Sequence, residues 1–116
     1  MIVVDAANVV GARADGWWRD RAGAARRLLA ELAAAALSED VVVVLEGAAR
    51  AALDGTEYTG VRVVAAPGTG DDTVVEVAAA AGTDVTVVTA DRELRRRVEA
   101  VGARTVGPRT LLDRLG

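Results

Sequence analysis

A chain of 116 residues with 52% apolar side chains and a formal net charge of −3 is long enough for one domain with a real core, and too short for two. It has no Cys, His or Lys, and all fourteen basic residues are arginine. That excludes thiol nucleophiles, Ser-His-Asp triads, Cys/His zinc sites, Schiff-base lysines and a lysine-bearing phosphate loop.

In chain order, MIVVD (1–5) reads as a strand that stops at Asp5, and the loop after it holds Asn8, Arg13, Trp17 and Trp18. Residues 19–37 read as a helix with Ala25, Leu28, Leu32 and Ala36 on one face and an Arg27–Glu31 pair on another. VVVVLE (41–46) is a second strand, followed by a short helix near 48–53 and a turn at Asp54-Gly55. VRVVA (61–65) is a third strand, PGTG (67–70) a turn, and 71–81 a helix ended by Gly82. DVTVVTA (84–90) is a fourth strand, and 91–101 a helix with Leu94, Val98 and Val101 as its apolar stripe. ARTV (103–106) is a short fifth strand, and Pro108 opens a last helix that runs to Leu115. The runs at 2–4, 41–45 and 85–88 are apolar throughout. Strands of that kind are buried on both faces, which predicts a three-layer αβα sandwich around a mainly parallel sheet of four or five strands in the order 3-2-1-4-5. No apolar run approaches the roughly 20 residues of a membrane span. Asp5 interrupts the first apolar stretch and no basic segment precedes it, so no signal peptide is expected and a cytoplasmic setting fits.

Ligands of such sheets bind beyond the carboxyl ends of the strands. Asp5 and Glu46 end the first two strands, Asp71 and Asp72 open the helix after the third, and Asp91 follows the fourth. Each of the last three could simply cap a helix. Asp5 resists that explanation, because no strong helix pattern begins within ten residues of it. With strands one and four side by side, Asp5, Asp71, Asp72 and Asp91 converge, and carboxylates crowded in this way repel unless a cation lies between them. Oxygen donors without histidine suit Mg²⁺ or Mn²⁺. Glu76 lies one turn beyond Asp72, where an outer supporting role or a solvent-facing one is open.

The segments VDAANVVG, GTGDDTVVE and VVTADRELR, in this order and strand context, resemble the D-x-x-N, ADDYIE and T-S-D-x-x-L segments of the NYN branch of PIN-like nucleases. The resemblance covers essentially the whole chain. It implies a single PIN-like domain over 1–116 and Mg²⁺- or Mn²⁺-dependent cleavage of RNA, as by an endoribonuclease. Asp5, Asp71, Asp72 and Asp91 match the acidic positions, with Asp5, Asp72 and Asp91 as the catalytic choice. Asn8 matches the amide that supports the first acid, and Glu46 and Glu76 are supporting candidates. The chain departs from the pattern at Ala6, where relatives carry Gly, at Arg95, where some place an acid, and at Glu46, where several carry Asp.

An acidic protein must bind RNA through local clusters. Without the four site aspartates, 13 acids face 14 arginines. Arg92, Arg95, Arg96 and Arg97 lie beside the proposed site, and Arg13, Arg19 and Arg21 in or beside the first loop. They are either phosphate contacts or a solvated face in which Arg95 or Arg96 pairs with Glu99. Trp17 and Trp18 could stack on bases of single-stranded RNA or pack at the helix start. A non-cutting RNA- or protein-binding module and another Mg²⁺-dependent phosphoryl hydrolase are the rival readings; the oligomeric state, a homodimer included, stays open.

Overall fold

Valine runs that do not alternate need cover on both faces, and they have it in the computed structural model, which describes residues 1–116. Strands β1 (Ile2–Asp5), β2 (Val41–Leu45), β3 (Val61–Ala65), β4 (Thr86–Val88) and β5 (Arg104–Val106) form one sheet. All its pairings are parallel and its order is β3-β2-β1-β4-β5, as expected. Helices α1 (Ala6–Gly11), α2 (Arg21–Ala35), α3 (Gly70–Ala81), α4 (Arg92–Ala100) and α5 (Pro108–Leu115) flank it. No helix is long and apolar enough to cross a membrane.

The alternation of side chains along a strand sorts the core into two layers. Ile2, Val4, Val41, Val43 and Leu45 pack with Val9, Leu28, Leu32 and Leu111 of α1, α2 and α5. Val3, Val44, Val85 and Val87 pack with Val74, Ala78, Leu94 and Val98 of α3 and α4. This is the αβα sandwich that the sequence predicts.

Four local expectations are corrected. Asp5 is followed at once by α1, a helix of six residues. It is too short to show a period, and its valines are weak helix formers, so burial of Val9 and Val10 sustains it. Ala36 does not extend the α2 stripe: it takes a left-handed conformation (φ 48°) that ends the helix, and it is exposed. Val101 lies past the end of α4 and is 40% exposed, so the stripe there is Leu94 and Val98. Glu31 does not pair with Arg27. Arg13 Nη1 and Nη2 donate to its two carboxylate oxygens at 2.6 and 2.7 Å, and a two-point pair outcompetes a single helical neighbour. Arg27 instead lies 3.7 Å from Asp15.

Helix α2 starts at Asp20, whose Oδ1 accepts from Gly23 N at 2.9 Å. A Cβ at Gly23 would stand 2.3 Å from Asp20 Oδ2, so alanine there and the cap exclude one another. Alanine in place of a helical glycine gains about 0.5–1 kcal/mol, and losing an Asp cap costs about 1 kcal/mol. Gly23→Ala alone should therefore be close to neutral. In an Asp20→Ala background the same change should stabilise the protein by the full helix preference. Urea unfolding of the two single variants and the double variant measures this, and simple additivity would refute the coupling.

Candidate functional site

Sheet register explains why acids gather at one edge. Asp5 pairs with Val44 of β2, and Val4 with Val88 of β4, so Thr89 follows β4 beside Asp5. Counting by twos, Asp5 shares a face with Val3, Glu46 with Val44, and Thr89 with Val87. That face is the one covered by α3 and α4. Both helices begin at the carboxyl edge of the sheet, with Asp71 in the first turn of α3 and Asp91 at the N-cap of α4.

Asp5 is 4% exposed. Its Oδ2 accepts from Asn8 Nδ2 at 2.8 Å and from Thr89 Oγ1 at 2.9 Å. Thr89 Oγ1 in turn accepts from Asp91 N at 3.1 Å, and Asn8 Oδ1 from Ala90 N at 3.2 Å. One carboxylate thus ties α1 to the turn between β4 and α4. Asp5 Oδ1 is left without a side-chain partner. Although Asp5 occupies the N-cap position of α1, its side chain does not cap that helix. Its resistance to the capping explanation therefore holds for a reason other than the lack of a nearby helix.

Burial pushes the Asp5 pKa up; hydrogen bonds from Thr89 and Asn8 pull against it, and the charge of Asp71 adds to the rise. Asp71 is raised by burial too, then by the charges of Asp91 and Glu46, with Arg97 opposing. Asp5, Asp71, Asp91 and Glu46 thus form one connected electrostatic set.

The other predicted residues divide sharply. Asp72 is exposed, and its Oδ1 accepts from Arg97 Nη2 at 2.9 Å, which holds its pKa down. Of the neighbouring pair, Asp71 is the one coupled to the cluster. Asp91 Oδ1 caps α4 by accepting from Leu94 N at 2.9 Å, so this residue is a cap and a member of the set at once. Glu46 Oε2 accepts from Gly70 N at 2.7 Å, at the start of α3. A Cβ on Gly70 would come within 2.9 to 3.2 Å of that carboxylate, so a larger residue there would displace it. Glu76 is exposed and shares a hollow with Met1 and Arg62 at the opposite, amino edge of the sheet. It has no place in the cluster. No three acidic side chains are spaced to hold one ion between them in this arrangement.

Among the arginines, Arg13 is tied to Glu31. Arg95 Nε donates to Thr89 O at 2.9 Å, and Arg96 pairs with Glu93, so neither pairs with Glu99. Arg92 is exposed and makes no ion pair. Trp17 is half-buried against the core, while Trp18 is 56% exposed. The residue that sequence reasoning missed is Thr89. Its signal was a hydroxyl at the carboxyl end of the fourth strand, two residues before an acid.

No protein-family model matches the sequence, and no curated protein matches it. Solved structures do. The crystal structure of Rae1 (YacP) from Bacillus subtilis superposes with a TM-score of 0.84 at 21% identity, covering 99% of this chain and 72% of that one. A tryptophan-to-leucine variant of the same protein gives 0.79 at 22% identity, covering 98% and 73%. The chain has the Rae1 fold. Rae1 is the longer chain, and the likeness spans this one almost end to end.

The electrostatics predict a pH dependence. Because the folded pKa of Asp5 is raised, the folded state holds that proton more tightly than the unfolded chain does. The stability it contributes is fully present below its ordinary value of 3.8 and is lost as pH rises through the folded value. Asp5→Asn keeps an acceptor for Asn8 and Thr89 without the charge. It should be more stable than wild type at neutral pH, with the gap closing on acidification. Urea midpoints between about pH 7 and about pH 3 read this out. A gap that does not change with pH would refute it.

Proposed function

We propose that this chain is a divalent-metal-dependent ribonuclease, an endonuclease built on a PIN-like domain. The observation that carries the proposal is the set Asp5, Asp71 and Asp91 at the carboxyl edge of the sheet, with Asp5 buried and pinned through one oxygen. The ordered resemblance of three segments to PIN-like nucleases supports it, as does the strand order 3-2-1-4-5.

The donor set suits a hard cation: all oxygen, mutually repelling, with Asp5 Oδ1 free of side-chain partners. Asp5, Asp71 and Asp91, which would have to draw closer than they stand, would hold Mg²⁺ or Mn²⁺, with Glu46 and Asp72 at the margin. An ion held there would supply charge neutralisation at phosphate and a more acidic water, the chemistry of a hydrolysis that leaves a 5′-phosphate. The chain's own residues do the positioning. Asn8 and Thr89 fix the carboxylate plane of Asp5, and Thr89 also holds the backbone of Asp91. Arg92 is free to meet phosphate. Arg95 orders the turn through Thr89 O, and Arg13 and Arg96 stay with their acidic partners unless RNA displaces these.

A non-cutting RNA-binding module is the second reading, favoured by the wide spacing of the acids as they stand. Metal-dependent turnover separates the two. With a labelled single-stranded RNA and Mn²⁺, Asp5→Asn, Asp71→Asn and Asp91→Asn should each lose more than about a hundredfold in rate, with little further loss on combination. Asparagine at 91 still caps α4, so the fold survives. Asn8→Ala should lose about ten- to a hundredfold, as an orienting partner. Mn²⁺ should raise the melting temperature of wild type and not of Asp5→Asn. Equal cleavage by wild type and Asp5→Asn, with EDTA as control, would leave the binding module standing.

A further inference from the structure

Beside the acid cluster lies a hollow of about 350 Å³, walled by Ala6, Ala7, Val10, Trp17, Ala25 and Ala49. Its volume is at the lower end of small-ligand sites, the size for one planar group. Two charged side chains, Arg21 and Glu46, also line it. The Arg21 guanidinium lies 5.4 Å from the centre of the Trp17 ring and makes no ion pair. Glu46 uses Oε2 on Gly70 N, which leaves acceptor capacity on both oxygens.

We infer that this hollow is a base subsite of the RNA site, selective for guanine. The inference rests on the ribonuclease reading for its setting and on the hollow's own chemistry for its ligand. A small apolar cavity with an indole wall takes a stacked base. A carboxylate accepts only, so it favours bases with adjacent N–H donors. Guanine presents N1–H and N2–H side by side, whereas uracil offers one N–H between two carbonyl oxygens that the carboxylate repels. A guanidinium donates only, and O6 with N7 of guanine is its matching acceptor pair. Guanine is the base that satisfies both charged groups at once. The position fits a substrate group next to the reacting phosphate: Ala6 and Ala7 follow Asp5 directly, and Glu46 is bonded to Gly70, the neighbour of Asp71.

The test uses the full chain carrying Asp5→Asn, in EDTA, so that no step of cleavage is involved. The two indole N–H signals in a ¹⁵N–¹H spectrum act as reporter and control. Trp17 lines the hollow; Trp18 is not part of its lining. GMP should shift the Trp17 signal and leave the Trp18 signal in place, saturating at least about tenfold below UMP, with AMP and CMP between. A short U-rich RNA with one G should bind at least about tenfold more tightly than GMP, since its phosphates add contacts. Glu46→Gln should erase the difference between GMP and UMP. Ala7→Leu, at an exposed helix position that leaves the fold intact, should abolish the Trp17 shift by filling the mouth. An unmoved Trp17 signal, or equal saturation by GMP and UMP, would overturn the subsite whatever the cleavage assay gives. GMP binding as tightly as the oligonucleotide would make the hollow a free-nucleotide site and overturn its assignment to RNA. Failure of cleavage with these shifts intact would overturn the ribonuclease reading alone.

Discussion

A carboxylate at the end of a central strand, almost closed off from water, is the feature on which the carboxyl edge of this protein depends. An unpaired buried charge would be costly. Here Oδ2 of Asp5 receives two side-chain donors, one from three positions further along the chain and one from 84 positions further. For Asn8 to reach back, α1 must begin directly after Asp5. For Thr89 to reach across, β4 must lie beside β1. The Asp91 amide then hangs on the same hydroxyl. Helix start, strand order and turn geometry are all conditions of one hydrogen-bonded group.

The acids around it show how a capping role and a site role coexist. Helix N-termini carry partial positive charge, so carboxylates placed there are stabilised even as they repel one another. Asp91 caps α4 and still pushes up the pKa of Asp71; Glu46 receives the first amide of α3 and does the same. The two helix ends stabilise carboxylates placed close together, while burial first and mutual repulsion after it raise the pKa values of Asp5 and Asp71.

Arginine without lysine has a similar double use. The guanidinium fork makes two-point pairs, and several arginines are committed to structure: Arg13 to Glu31 across the first loop, Arg97 to Asp72 between α4 and α3, Arg95 to the carbonyl of Thr89. Of those without an acidic partner, Arg21 lines the hollow and Arg92 follows Asp91 directly in the chain. A modest number of well-placed cations can serve a polyanion even when the chain as a whole is acidic.

Unbroken valine runs can only be strands covered on both faces, and acids placed just after them can only lie at the carboxyl edge. From these patterns the sequence by itself determined the parallel sheet, the succession of strands and helices, and the placing of Asp5, the Asp71-Asp72 pair and Asp91 at one edge, with Asp72 taken for the catalytic member of the pair. Local pattern reports period and burial, and both are set by neighbours in the chain. Pairing is set by distance in space, which is where the sequence fell silent. Thr89 meets Asp5 across 84 positions, and Glu31 chooses Arg13 over its helical neighbour Arg27. Helix α1 is too short for a period and exists because Val9 and Val10 find a core. Asp71 and Asp72 are identical in type and adjacent in sequence. Only the rotation of α3 against the sheet decided that one couples to the cluster while the other turns to Arg97.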